Sequence, residues 1–469
     1  MNPFKFLLRD SLVYSLSALI SKGVHFLLIP LYTHYLAPKV LGVYEILMVL
    51  SSVLGILCVL EIGQALGRFY QEATNPNKFK ISNTALLVTV IGFSVVTVSL
   101  ISLSVEVSEI LFGTKIHANL IEILAISMTV QGLVQMILNQ LRWELRVRSY
   151  AILNVIQGIM SGISIFVCLH FLENSVKSIF LGQIIGGLFA LIPAFIITRK
   201  SFSFDLDRVI LKQMLFFSLP LIPASLSAYF ALYLDRIMIQ SFLSSEQLGI
   251  YGIAFRITSV VSLAMVGIQS ALTPLVYKEY ANPQTPDKLA SIFIKFSGLV
   301  CIVTLFFYLF AEDILKLLTT SDYLAASNIL WIFCLTFVVK DLYIFFPGLF
   351  IAKKTMIIAG INLLVIVLNL IFNYLSIPIF GIEGAAYSTL ASSCILIVLY
   401  WCLGERHYPV PHQFSKLLFL ISLCLVVSFA YLHLSDYADL VWIVELLAKL
   451  LVLSLLSVIL WFSLGRYRK

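Results

Sequence analysis

Apolar residues in this chain come in long blocks, neither alternating with polar ones nor confined to single helical stripes. Fourteen blocks are long enough to cross a bilayer, at roughly 11–32, 41–63, 83–105, 118–139, 150–171, 178–198, 213–238, 248–270, 292–311, 326–349, 356–376, 383–404, 416–433 and 441–463. A hydrocarbon core about 30 Å thick needs about 20 such residues in a helix. Strands are excluded as the spanning element, because the blocks are too long and lack a period of two. The pattern therefore predicts an all-α polytopic membrane protein with no soluble domain on either side. The longest predicted loops, 64–81 and 276–290, carry the turn clusters NPN at 75–77 and NPQTP at 282–286. Connections on the other side are short, as at 172–177 and 376–382.

Charge orients these spans. Threaded from a cytoplasmic N-terminus, the chain places Lys39, Lys115, Lys177 and Lys316 outside, and Lys22, Arg236, Arg256, Lys340 and Lys449 within or at the edge of spans. The other 22 of its 31 Lys and Arg fall inside, which is the side where short basic loops are retained. Arg466, Arg468 and Lys469 put the C-terminus inside too, so the number of spans is even.

The chain also repeats itself. YLAPKVLGVY at 35–44 resembles FLSSEQLGIY at 242–251, a separation of 207 residues, and 176–192 weakly echoes 382–398. This predicts a six-helix half at 1–205, a second at 206–404 and two further spans over 405–469. An even number of spans per half makes the repeats parallel, and such repeats are typical of transporters with a site near the midplane between them.

Charges at bilayer depth are costly and usually face a bundle interior or a wet cavity, so the five residual cations are the place to seek function. Lys22 lies near the middle of span one, on a polar, small-residue face with Ser11, Ser15, Ala18 and His25. It either lines a cavity or pairs with a carboxylate of a neighbouring helix. Arg256, in span eight, has the same two readings. Asp235 and Arg236 form a local pair, a snorkelling guanidinium or a substrate contact. Lys340 and Asp341 fall mid-span ten ahead of Pro347, about 100° apart on an ideal helix. Glu45 and Asp341 are candidate carriers of a coupling ion, with Glu45 close enough to the outer end of its span to be merely wet. Asn362, Asn369 and Asn373 share one face of span eleven, where they either bond helices together, the favoured role, or touch sugar hydroxyls. Lys449 and Glu445, four apart, are expected to pair. Pro220 and Pro223 predict a kink or hinge in span seven.

Composition removes other classes. With 60% hydrophobic residues, 12% charged residues and a mean hydropathy of +1.01, the chain is not a soluble domain. Its net charge of +7 is scattered through loops, without the basic face that nucleic-acid binding requires. Seven cysteines sit inside apolar runs without a CxxC pair, so neither a disulfide framework nor a metal site is expected. No cleavable signal peptide is expected, since the first apolar run is itself a span. No Walker A, GxSxG or HExxH motif occurs, and no cofactor is implied.

Three segments carry a resemblance: LIPLYTHYLAPKVLGVY at 28–44, YLDR at 233–236 followed by LGIYGIAFR at 248–256, and Asn369 through FGIEGAAY at 380–387. Together and in order they resemble the polysaccharide (O-antigen, capsule and exopolysaccharide) flippase branch of the multidrug/oligosaccharidyl-lipid/polysaccharide exporter superfamily, over residues 1 to about 405. The resemblance implies a bacterial inner-membrane protein with two six-helix halves around a central cationic cavity. It would flip undecaprenyl-pyrophosphate-linked oligosaccharide by alternating access for surface polysaccharide synthesis, with both termini cytoplasmic. Polysaccharide polymerase and chain-length regulator are the implied partners, alongside the lipid bilayer. Lys22, His25, Arg236, Arg256, Lys340 and Asn369 are then the candidate substrate-binding residues. Glu45 and Asp341 are the candidates for coupling to an H+ or Na+ gradient.

The alternative is a cation-coupled multidrug antiporter of the same fold, whose site should be net acidic. A polymerase or ligase acting on the same carrier would need a large outer loop, and every outer loop here is short. The topology has a direct test. In a cysteine-free background, Lys115→Cys and Lys177→Cys should react with an impermeant maleimide on intact cells. Arg148→Cys and Lys354→Cys should react only after permeabilisation, and the reverse pattern would overturn the orientation.

Overall fold

The computed structural model describes residues 3–172, 174–199, 207–437 and 449–454, without the side chains of 3–12, Ser15, Ala18, Asn75, Pro76, Ala271 and 429–437. Among the described residues the regular structure is entirely helical, as the block pattern predicts. Ten helical stretches are long and apolar enough to cross a bilayer, one of them a 50-residue hairpin. Most of the predicted span 441–463, with Glu445, lies outside the described residues.

The chain divides into two compact units, the first comprising 1–240 with 244–249 and the second 241–243 with 250–469. The first contains α1 (Pro3–Tyr35), α2 (Pro38–Val59), α3 (Ile62–Glu72), α4 (Asn75–Ser102), α5 (Ser104–Phe112), α6 (Ala118–Trp143), α7 (Val147–Phe171), α8 (Val176–Thr198), α9 (Arg208–Ser218) and α10 (Ile222–Phe242) down to Gln240. Pro38 opens α2 at the first turn, where its missing N–H is harmless. α2 ends at Leu60 and Glu61, both left-handed with φ of 48° and 53°. This conformation costs a non-glycine residue about 1–2 kcal/mol.

The break redirects the chain into α3, so most of the predicted loop 64–81 is helix. The reason is amphipathic: Ile62, Ala65 and Leu66 pack on Ile81, Ala85, Met136 and Met214, while Arg68 and Glu72 pair on the exposed side. α7 packs extensively on α8, with α1 on α7 and α6 on α8. A Cβ on Gly186 would strike the Ser161 backbone, the close approach on which apolar helices rely for packing in a membrane.

Span seven packs with the first unit, one span beyond the repeat boundary. Met214 of α9 is in the α3 core and Phe217 stacks edge-on against Phe69. Asp207 caps α9 by accepting from the amides of Val209 and Ile210 and pairs with Lys80 at 3.2 Å. These bonds, the Ile210 amide foremost, hold its carboxyl below the usual range.

The second unit holds α11 (Ser245–Glu279) from Ile250 onward, α12 (Thr285–Leu309), α13 (Ala311–Leu318), α14 (Ser327–Val339), α15 (Gly348–Ile351), α16 (Thr355–Gly404) and α17 (Phe414–Tyr437). The predicted loop 276–290 shrinks to a turn, because α11 and α12 extend to within a few residues of each other. The short helices α5 and α13, each following a long helix, extend the 207-residue repeat. α16 is two arms joined at Gly381, whose φ of 59° and ψ of −139° are open to glycine alone. This is the predicted 376–382 turn.

The glycines of the two LG[VI]Y motifs meet within the first unit. A Cβ on Gly42 would strike the Ser245 carbonyl, and one on Gly249 the Pro38 carbonyl. Backbone faces backbone on both sides, so nothing soft can give way. Gly42→Val should therefore cost about 1–3 kcal/mol by overpacking, read as a lowered melting temperature in detergent. An unchanged melting temperature would refute the close approach.

Candidate functional site

Arg236 is among the most deeply buried large side chains, with the residue 2% exposed. A guanidinium removed from water must be neutralised where it sits. Its Nε donates to Glu45 Oε2 at 3.3 Å, and its Nη1 to Asp235 Oδ1 at 3.2 Å and the Leu232 carbonyl at 3.3 Å. Its charge also lies 4.6 Å from the Tyr233 ring centroid. Glu45 is itself buried, so this carboxylate is dry, contrary to the expectation that it could be merely wet. One cation faces two carboxylates, and Arg236 presents no surplus positive charge. Tyr229, two turns before Arg236 on α10, reaches Ser52 of α2. The cluster thus clamps α10 to α2.

Lys22 is different. Its side chain is exposed on α1, and no carboxylate partner for it occurs among the described residues. His25, one turn on, is exposed as well, and its Nδ1 lies 2.8 Å from the Ser21 carbonyl. The adjacent face, through Ser21 and Val24, packs on Gly158 and Gly162 of α7. Ser11, Ser15 and Ala18 of the predicted polar face lie outside the described side chains.

In the second unit, the predicted continuous span ten is broken. α14 ends at Val339, a short 3-10 turn occupies Leu342–Phe345, and Pro347 precedes α15. Lys340 and Asp341 sit at the break, half-buried and acting on one another electrostatically. The Lys340 ammonium lies 4.7 Å from the Phe337 ring centroid, and Asp341 is hydrogen-bonded to Gln269 of α11. A cation just past a helix C-terminus also meets the negative end of the helix dipole. Arg256 is half-buried, within electrostatic range of Tyr323.

Asn369 is buried inside the α16 hairpin. Its amide donates to Ser392 Oγ at 3.0 Å and its carbonyl accepts from Asn373 at 3.0 Å. Ser376 and Ser388 join the same arms at 2.6 Å. These side chains bond helix to helix, the favoured role for this asparagine face. Lys449 reaches Asp313 at 2.7 Å.

One polar group was not anticipated from sequence. Gln131, Gln135 and Asn139 recur every four residues along α6, and Gln157 faces them from α7. Gln157 donates to Gln131 at 2.8 Å, Gln131 to the Gln183 carbonyl at 2.7 Å, and Ser127 to the Gln183 side chain at 3.0 Å. Gln183 in turn donates to the Tyr44 hydroxyl at 3.3 Å. The spacing was the available signal, but uncharged amides do not stand out against apolar blocks as cations do.

Comparison with known proteins places the chain among membrane transporters. The sequence model of a family described as polysaccharide biosynthesis protein matches residues 7–279, and that of the MatE family matches 220–375. A protein of Haloferax volcanii named as a probable low-salt glycan biosynthesis flippase, Agl15, is 23% identical over 88% of this chain and 86% of its own. The structure of the lipid II flippase MurJ, in an inward closed conformation, aligns with a TM-score of 0.70 at 18% identity, over 98% of this chain and 100% of that one. An inward-facing multidrug resistance MATE family transporter aligns with a TM-score of 0.59 at 17% identity, over 82% and 94%.

The buried clamp carries its own prediction. Arg236→Ala strands Glu45 and Asp235 in a dry site, which should cost about 3–5 kcal/mol. Arg236→Met combined with Glu45→Leu and Asp235→Asn removes the cation and both carboxylate charges and should recover most of that loss. Denaturation in detergent measures both, and equal losses in the two variants would argue against the pair.

Proposed function

The chain belongs to the polysaccharide biosynthesis protein family, as a multi-pass polysaccharide flippase of the multidrug/oligosaccharidyl-lipid/polysaccharide exporter superfamily, and from that premise we propose its substrate and its working residues. The substrate is an oligosaccharide linked to undecaprenyl pyrophosphate, moved across a bacterial inner membrane by alternating access, with both termini cytoplasmic. The observation that carries this reading is Lys22, a lysine exposed near the middle of predicted span one, on α1, without a carboxylate partner among the described residues. Placed against lipid tails it would cost at least about 2.5–3.5 kcal/mol. A wet face that receives an anion removes that cost, and a pyrophosphate head group is such an anion.

Lys22 and His25 in the first unit, with Arg256 and Lys340 in the second, supply positive charge to the head group. Arg236 and Asn369 act through position, since their polar atoms are engaged within their own units. Asp341 carries the coupling ion, H+ or Na+. It lies at a break in a span, where discontinuous helices of other transporters hold coupling ions. Glu45 is already committed to Arg236. The translocated glycan passes to a polysaccharide polymerase and its chain-length regulator.

Complementation of a deletion strain tests the proposal. Lipid-linked glycan should accumulate on the cytoplasmic face of the deletion strain, and the wild-type gene should restore surface glycan. Lys22→Ala or Arg256→Ala at matched expression should restore at most about a tenth of it, the loss of one charge-assisted contact of about 1.5–3 kcal/mol. Normal surface glycan in the deletion, with altered drug tolerance, would instead favour the cation-coupled multidrug antiporter.

A further inference from the structure

The amides of α6 and α7 line a cleft of about 400 Å³ in the first unit, which residues of α2 and α4 also line. Its lining residues include Ser51, Ser52, Phe93, Gln131, Gln135 and Gln157, and none of them is charged. We propose that this cleft binds the neutral sugar hydroxyls of the transported head group, separately from the cations that hold its phosphates. The inference rests on the glycan reading above and adds to it a second recognition element.

Chemistry selects the ligand class. A primary amide offers two donors and a carbonyl with two lone pairs, which matches neighbouring hydroxyls that each give and accept one bond. The bonds within the cleft leave much of that capacity unused. Gln157 uses one N–H, toward Gln131. Gln135 and Asn139 share one contact at the 3.5 Å limit. The Gln157 and Gln135 carbonyl oxygens and the Asn139 amide group have no partner among the described residues. Gln157 lies near the midpoint of α7, so its unpaired carbonyl is costly unless a ligand or water meets it. A cationic drug finds no carboxylate in the lining, and a phosphate finds no cation.

The Gln131–Gln157–Gln183 chain gives the cleft a fixed shape. Gln131 is held from both sides, by Gln157 and by the Gln183 backbone, and Gln183 is held by Ser127 and Tyr44. Binding into such a site loses little side-chain freedom.

Transport of two substrates by purified protein in liposomes tests the assignment. One is undecaprenyl pyrophosphate carrying a single sugar, the other the same carrier with the full oligosaccharide. Both are read by exposure of the sugar to impermeant periodate. Gln131→Leu with Gln157→Leu should slow the oligosaccharide at least tenfold more than the single-sugar lipid. Lys22→Ala should slow both by the same factor. Gln135→Ala, at the exposed rim, repeats the test without disturbing the buried amides, and should show the same bias at about threefold. Equal slowing of both substrates by the amide variants, or none, would overturn the cleft assignment and leave the flippase reading intact. Wild-type protein that moves neither substrate would overturn both.

Discussion

A guanidinium buried in a membrane-spanning bundle sets the terms for the first unit. Arg236 cannot stay charged in an apolar site without partners, and its partners cannot be charged without it. Glu45 and Asp235 meet that demand, one from 191 positions earlier in the chain and one from the preceding residue. The pair fixes α10 against α2 and so ties span seven to the first unit. Met214 and Phe217 on α9 and the Asp207–Lys80 contact extend the same attachment to its far end.

A second constraint concerns the backbone. Inside hydrocarbon a helix is interrupted only where other groups satisfy the freed amides and carbonyls. Among the described residues the helices break at Leu60–Glu61, at the 3-10 turn Leu219–Leu221 and after Val339, and reverse at Gly381. Leu60 and Glu61 turn left-handed so that α3 can lay its apolar side on a core. Gly381 permits a reversal that Asn369, Ser376, Ser388 and Ser392 then zip shut. The break after Val339 alone carries a charged pair, Lys340 and Asp341. That difference separates a fold-making break from one suited to ion coupling.

Charge is divided by role. Where a cation and carboxylates meet inside a unit, as at Arg236, the charge is spent on holding helices. Where a cation is exposed without such partners among the described residues, as at Lys22 on α1, the proposed function assigns it to an anion. The neutral amides of the α6–α7 cleft form a third kind of polar surface, suited to hydroxyls and indifferent to phosphate. Such a division matches a substrate with an anionic head attached to a neutral glycan.

The block pattern by itself determined the all-α class, most of the spans, the repeat and the list of mid-span cations. It could do so because a bilayer imposes one length and one polarity on every crossing segment, and any departure from it is visible in a single stretch of sequence. The roles of those departures were decided only by the tertiary structure. Both Arg236 and Lys22 are mid-span cations in sequence, yet Arg236 is neutralised by the remote Glu45 as well as by its neighbour Asp235, while Lys22 has no carboxylate partner among the described residues. Lys340 and Asp341 were expected on a continuous helix, and the backbone break at which they sit, with the Asp341–Gln269 bond to α11, is visible only in three dimensions. The amide cleft required four helices to converge, and amides, being tolerated in apolar spans, mark no single one of those helices as special.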